Sequence, residues 1–163
     1  MARSIFFSFH YQRDIWRVNV VRNHHITKGN YNVAGYWDHS LWEETKRHGD
    51  SALERLIARG LDGTTVSVIL IGAETARRPW VRHEIEKSYE RGNGLLGIYI
   101  HNIENRFGMR DSIGSNPFDL WQIESAGVRT LLSQTYQTYD WVYDAGYKNF
   151  GMWVEQAARQ AGR

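Results

Sequence analysis

The sequence predicts an α/β protein with a mostly parallel sheet covered by helices on both sides. Three observations carry this. The run Thr64-Thr65-Val66-Ser67-Val68-Ile69-Leu70-Ile71, closed by Gly72, is rich in β-branched residues and too short for a buried helix. It reads as a central strand covered on both faces. The run Arg3-Ser4-Ile5-Phe6-Phe7-Ser8-Phe9 is also apolar on both faces and reads as a second central strand. Strand and helix signals then alternate along the chain, the pattern of crossover connections in a parallel sheet.

Taken in order, the first strand, 3–9, ends at the polar and aromatic tip His10-Tyr11-Gln12-Arg13-Asp14. Asp14 is placed to cap a helix over 15–23. Residues 27–32 read as a loop, and 33–37 as a short second strand ending at Asp38. Residues 39–49 are polar apart from Leu41 and Trp42 and read as a loop. Ser51 and Glu54 form a capping box. It opens a helix with Leu53, Leu56 and Ile57 on one face, stopped by Gly60. After the central strand, Pro79 suits the first turn of a helix, where its missing N–H costs nothing. Val81, Ile85, Ser88 and Tyr89 fall on one stripe of that helix, which ends near Gly92. Trp80, Glu84 and Ser88 follow the stripe's edge. A fourth strand covers 95–100. Residues 102–137 hold Gly108, Gly114 and Pro117 without a sustained period, and at that length short elements are expected within them. A fifth, short strand covers 138–142. Phe150, Trp153, Val154, Ala157 and Ala161 line one face of a last helix.

The 163 residues fit a single domain, 1–163, with an irregular segment at about 102–137. A net charge of +2 gives no argument for a nucleic-acid partner. Cysteine is absent, which removes disulfides and thiolate chemistry and fits a reducing compartment. No apolar run approaches the roughly 20 residues that span a bilayer, and a signal-peptide layout is missing. A cytoplasmic protein with no membrane partner is expected. Seven Trp and nine Tyr are many for this length and suit a planar ligand or a protein interface.

Several motifs invite chemistry and fail on context. Gly92-Asn93-Gly94-Leu95-Leu96-Gly97 matches G-x-G-x-x-G, but it follows a helix and enters a strand. A dinucleotide fingerprint must do the reverse, so that a helix N-terminus meets the pyrophosphate. The bland reading is a helix end followed by a tight turn. His24-His25 do not share a face, and no histidine has a partner at ligand spacing, so no metal is expected. The first strand's tip lacks a receiver's adjacent acids and a flavin-binding Ser/Thr/Gly loop. No G-x-S-x-G elbow is present. Glu84 remains: a carboxylate at the border of the core, one turn after Trp80, near the carboxyl ends of buried strands where open α/β sheets bind ligands. Its bland alternative is a surface glutamate paired with Lys87.

Two segments resemble TIR domains: Ile5-Phe6-Phe7-Ser8-Phe9 is similar to their first box, and Trp80-Val81-Arg82-His83-Glu84-Ile85 to the W-x-x-x-E helix of enzymatic members. More narrowly, the chain resembles the ThsB family of TIR-like proteins of the Thoeris anti-phage system. That likeness runs through Ser8-Phe9-His10-Tyr11, residues 17–23, Ser40-Leu41-Trp42-Glu43, the Trp80 helix, Asn116-Pro117-Phe118-Asp119 and Tyr139-Asp140-Trp141-Val142. The set in this order is more specific than any member. The resemblance implies a flavodoxin-like three-layer fold with strand order 2-1-3-4-5. It also implies cleavage of NAD, as substrate and with no cofactor, at the nicotinamide–ribose bond. The product would be a cyclic ADP-ribose-type signal that activates a separate effector, and TIR-type self-assembly would accompany it.

On this resemblance Glu84 is the catalytic carboxylate. In the implied order the first and third strands are neighbours, so the first strand's tip and the Glu84 helix flank one cleft. Phe7 or Phe9, whichever faces the cleft, would set a ring against the nicotinamide. Ser8 and His10 would meet the ribose or phosphates. Asp38, Leu41 and Trp42 fall where relatives carry the loop bordering the pocket, and Trp80 either lines the pocket or packs the core. Where enzymatic relatives often place arginine after the first strand, this chain has His10-Tyr11. The competing readings are a non-catalytic TIR-type interaction module and a nucleotide- or flavin-binding flavodoxin-like protein.

Overall fold

A computed structural model describes residues 3–35 and 39–163, apart from the side chains of residues 25, 26, 39, 40 and 42. The strands β1 (Arg3–Ser8), β2 (Tyr31–Ala34), β3 (Val66–Ile71), β4 (Gly94–Tyr99) and, after the hairpin described below, β7 (Thr138–Asp140) form one sheet. Their order is β2-β1-β3-β4-β7 and every pairing is parallel. This is the expected order, with the fifth sheet strand in chain order at the far edge. Every residue of β3 is buried, as a strand with three-layer cover requires.

One face of the sheet is covered by α1 (Tyr11–Asn23) and α7 (Gly146–Gln160), with Phe7, Val68, Ile98, Phe150 and Trp153 in its core. The other face carries α4 (Asp50–Leu61) and α5 (Pro79–Glu90), around Phe6, Ile57 and Leu61 in one cluster and Ile69, Val81 and Ile85 in another. A bidentate pair between Arg3 and Glu155, 2.9 Å on each arm, ties β1 to α7.

Several local expectations are corrected. The expected helix over 15–23 begins earlier, at Tyr11, so Asp14 lies inside it, fully buried, rather than capping it. The expected loop 27–32 is divided between α2 (His25–Asn30) and β2. The second strand therefore lies earlier than expected, set by pairing with β1 from Arg3↔Tyr31 to Phe6↔Ala34. The expected loop 39–49 contains α3 (His39–Arg47), a segment with Leu41 and Trp42 as its only large apolar residues. The Ser51–Glu54 capping box is not formed: α4 begins at Asp50 behind Gly49, with no side-chain cap. It continues past Gly60 to Leu61. Tyr89 is exposed, and the buried stripe of α5 is Val81, Glu84, Ile85 and Ser88.

The irregular segment does hold short elements. They are a 3-10 turn at Pro117–Leu120, the antiparallel hairpin β5 (Gln122–Ser125) and β6 (Val128–Leu131), and α6 (Leu132–Thr135). The glycines of 92–97 behave as their context predicts. Gly92 takes a left-handed turn after α5, and Gly94 enters β4, where a Cβ would lie 2.3 Å from the Ala157 carbonyl oxygen of α7. No helix among the described residues is long and apolar enough to cross a membrane.

Candidate active site

The site begins with strand alternation. On β1, Ile5 and Phe7 enter the core beneath α1 and α7, so Phe6 and Ser8 point to the α4–α5 side. Ser8 ends the strand opposite Ile69 of β3. On the neighbouring crossover, Pro79 at the first helical position starts α5, and the 3.6-residue period carries Val81, Glu84, Ile85 and Ser88 inward. The two elements meet through one bond: the Ser8 hydroxyl donates to Oε2 of Glu84.

Glu84 is only 4% exposed. Burial pushes its pKa up to about 8, and the Ser8 hydrogen bond works against that rise. The bland alternative fails on geometry, because Lys87 pairs with Glu90 at 3.0 Å instead.

Glu84 lies on the wall of a cavity of about 250 Å³. Phe9, His10, Tyr11 and Gln12 contribute from the chain after β1, Gly35 from the end of β2 and Lys46 from α3. Arg78, Pro79, Trp80 and Val81 contribute from the start of α5. Gly35 is required by the wall's closeness: it has φ +78°, and a Cβ there would stand 2.4 Å from the Phe7 carbonyl oxygen.

The expected site residues divide as follows. Ser8, Phe9, His10, Trp80 and Glu84 are brought together. Phe7 borders the cavity, but its ring is fully buried on the opposite side, with Phe150 at 6.4 Å between centroids. Phe9, half-buried and 6.0 Å from the ring of Tyr11, also borders the cavity, and it packs against the same core as Phe7. Trp80 does both jobs left open for it, lining the cavity and packing against Phe6, Ile57 and Leu61. Leu41 is exposed on α3 and is not part of the cavity wall. Asp38 and the side chain of Trp42 lie outside the described residues.

Arg78, Lys46 and Gly35 line the cavity without having been singled out by the sequence. Arg78 immediately precedes the proline at the first helical position of α5. Its Nη2 contacts Glu74 at 3.3 Å, and Arg13 reaches the same Glu74 oxygen at 3.6 Å. His10 is buried nearby, and burial first and then the Arg78 charge lower its pKa. No cluster of three potential metal ligands occurs among the described residues.

The profile of the Thoeris protein ThsB TIR-like domain matches residues 6–105, more than half of the chain. The chain belongs to this ThsB TIR-like family. The match runs from β1 through β4 and so takes in the cavity-lining residues from Phe9 to Glu84. A curated member from Bacillus cereus (strain MSX-D12), named "Putative cyclic ADP-D-ribose synthase ThsB1", is 42% identical to the chain. That alignment covers 94% of the chain and all of the relative. It spans 191 positions, more than the 163 residues here, so this relative carries segments the chain lacks.

Proposed function

We propose that this ThsB-family protein cleaves NAD at the nicotinamide–ribose bond. The remaining nucleotide is released as a cyclic ADP-ribose-type signal for a separate effector in Thoeris anti-phage defence. The observation that carries the reading is Glu84, an acid buried at the wall of a cleft and held by Ser8 from the neighbouring strand. The name of the Bacillus cereus relative supports the reaction class.

The chemistry needs one carboxylate. Glycosidases commonly use two, because one must protonate the leaving group. Nicotinamide is bound to ribose as a cationic pyridinium. When the C1′–N bond breaks, its electron pair leaves with the ring, which departs neutral and needs no acid. The ribose becomes an oxocarbenium-like cation, and an ionised Glu84 stabilises that charge electrostatically. In a buried site this attraction is less screened than in water. The same burial disfavours ionised Glu84 in the resting protein, and an arriving pyridinium cation offsets that cost. Phe9 and Trp80 border the cavity and offer aromatic surface to the nicotinamide.

The cation is then captured either by water, giving ADP-ribose and a proton, or by a nucleophile of the same nucleotide, giving a ring. A cleft that excludes water favours closure. The test is mass spectrometry of the products formed from NAD by wild type and Glu84→Gln, with infected-cell extract as activator. Free nicotinamide and a cyclic nucleotide are expected from wild type. Glu84→Gln should lose on the order of 10³-fold in rate. Wild-type turnover by Glu84→Gln would remove the assignment.

A further inference from the structure

We infer that Arg78, Lys46 and His10 form a phosphate subsite in the same cleft, which holds the diphosphate of a dinucleotide; this rests on the reading of NAD as substrate. Of the residues lining the cavity, Lys46 and Arg78 are fixed cations and Glu84 is the one acid among those described. A cleft with that balance and a buried, largely protonated acid attracts anions.

Three independent features point to an anionic ligand. The Arg78 guanidinium uses Nη2 on Glu74, while its Nε is enclosed and makes no hydrogen bond. An enclosed N–H without an acceptor is costly until one arrives. His10 is nine-tenths buried at the cavity, and its Nδ1 has no hydrogen-bond partner. The nearest carboxylate oxygen, on Glu74, is 4.0 Å away. The first turn of α5 has no side-chain cap and Pro79 has no N–H to give. The open donors are thus those of Trp80 and Val81, both of which line the cavity.

The spacing suits one extended ligand. Arg78 precedes Glu84 by six positions, about 9 Å along a helix. That is comparable to the reach of a ribose and its 5′-phosphate. The acid end of the cleft would take the nicotinamide riboside and the cationic end the diphosphate. The positive charge that relatives often draw from an arginine after the first strand would come here from the loop after β3 and from α3. Glu74 then acts as a positioning residue, holding Arg78 and Arg13 by one oxygen.

The test is calorimetric titration of the full chain with ADP-ribose and with adenosine, its phosphate-free counterpart. ADP-ribose should bind more tightly than adenosine, and added salt should erode the difference. Arg78→Gln and Lys46→Ala should each weaken ADP-ribose about tenfold or more while leaving adenosine unchanged. Arg78→Lys should recover part of the loss. Lys46 is exposed on α3, so Lys46→Ala leaves folding intact if Arg78→Gln does not. In turnover, Arg78→Gln should raise KM for NAD far more than it lowers kcat. Wild-type ADP-ribose affinity in both variants, or no preference for ADP-ribose over adenosine, would overturn the subsite. Loss of ADP-ribose binding in the variants, in a protein that never cleaves NAD, would keep the subsite and remove the catalytic reading.

Discussion

The Ser8 hydroxyl and the Glu84 carboxyl share one hydrogen, so the end of the first strand and the second turn of α5 are joined at a single oxygen. That hydrogen bond is the force holding the acid's pKa down against complete burial. Removing it should therefore raise the pKa further. NAD cleavage by wild type should increase with pH along a limb near 8 in kcat/KM, where the free protein titrates. In kcat the limb should fall lower, because the bound pyridinium favours the ionised acid. Ser8→Ala should move the kcat/KM limb upward and cost about tenfold at pH 7 for each unit of displacement. Initial rates from pH 5.5 to 9.5 check this.

Glu84→Gln should gain stability as it loses activity. The folded pKa is raised above the unfolded value, so the unfolded state releases its proton first as pH rises. Stability from the neutral acid is therefore complete below about 4.5 and is lost progressively up to about 8. An amide has no such titration. The melting temperature of Glu84→Gln should exceed that of wild type by several degrees at pH 8.5, and the gap should close at pH 5. Thermal melts at the two pH values measure it.

Gly35→Ala should deform the cleft. The new Cβ would press on the Phe7 carbonyl oxygen and the Phe6 ring, at a backbone angle that L-residues avoid. A loss of about 1–3 kcal/mol is expected from the backbone alone. Denaturant unfolding gives that cost, and an accompanying rise in KM for NAD would report the shifted wall.

The hairpin at 122–131 should be dispensable for chemistry. Glu124, Ser125, Ala126 and Val128 are exposed at its tip, and none of them lines the cavity. Replacing 124–129 with a two-residue Asn-Gly turn should leave kcat/KM for NAD unchanged and stability within about 1 kcal/mol.

The sheet was legible because its inner strands must be apolar on both sides, which leaves an unmistakable run such as 66–71. Pro79 likewise marked the start of α5 at the correct residue. Elements with little buried surface were not legible. Most side chains of α3 described here face solvent, and β2 is a four-residue edge strand whose position is dictated by its partner rather than by its own residues. At the site, Glu84 could be placed by helical period and Ser8 by its place at the strand's end. Lys46 and Gly35, both on the β2–β3 crossover, and Arg78, on the β3–β4 crossover, could not, because the fold brings two crossovers to one cavity and no spacing in the chain encodes that. Leu41 shows the converse: it belongs to a family-like segment, yet its helix presents Lys46 to the cavity instead.

The contact between Phe7 and Phe150 has a consequence for biosynthesis. Every residue lining the cavity has been translated by position 84, but the face of β1 that carries Phe7, covered in part by α1, receives Phe150 and the rest of its cover only with α7, more than sixty residues later. A ribosome-bound chain therefore holds its acid on a sheet whose second face is still incomplete, so complete folding is expected only after translation has passed the final helix.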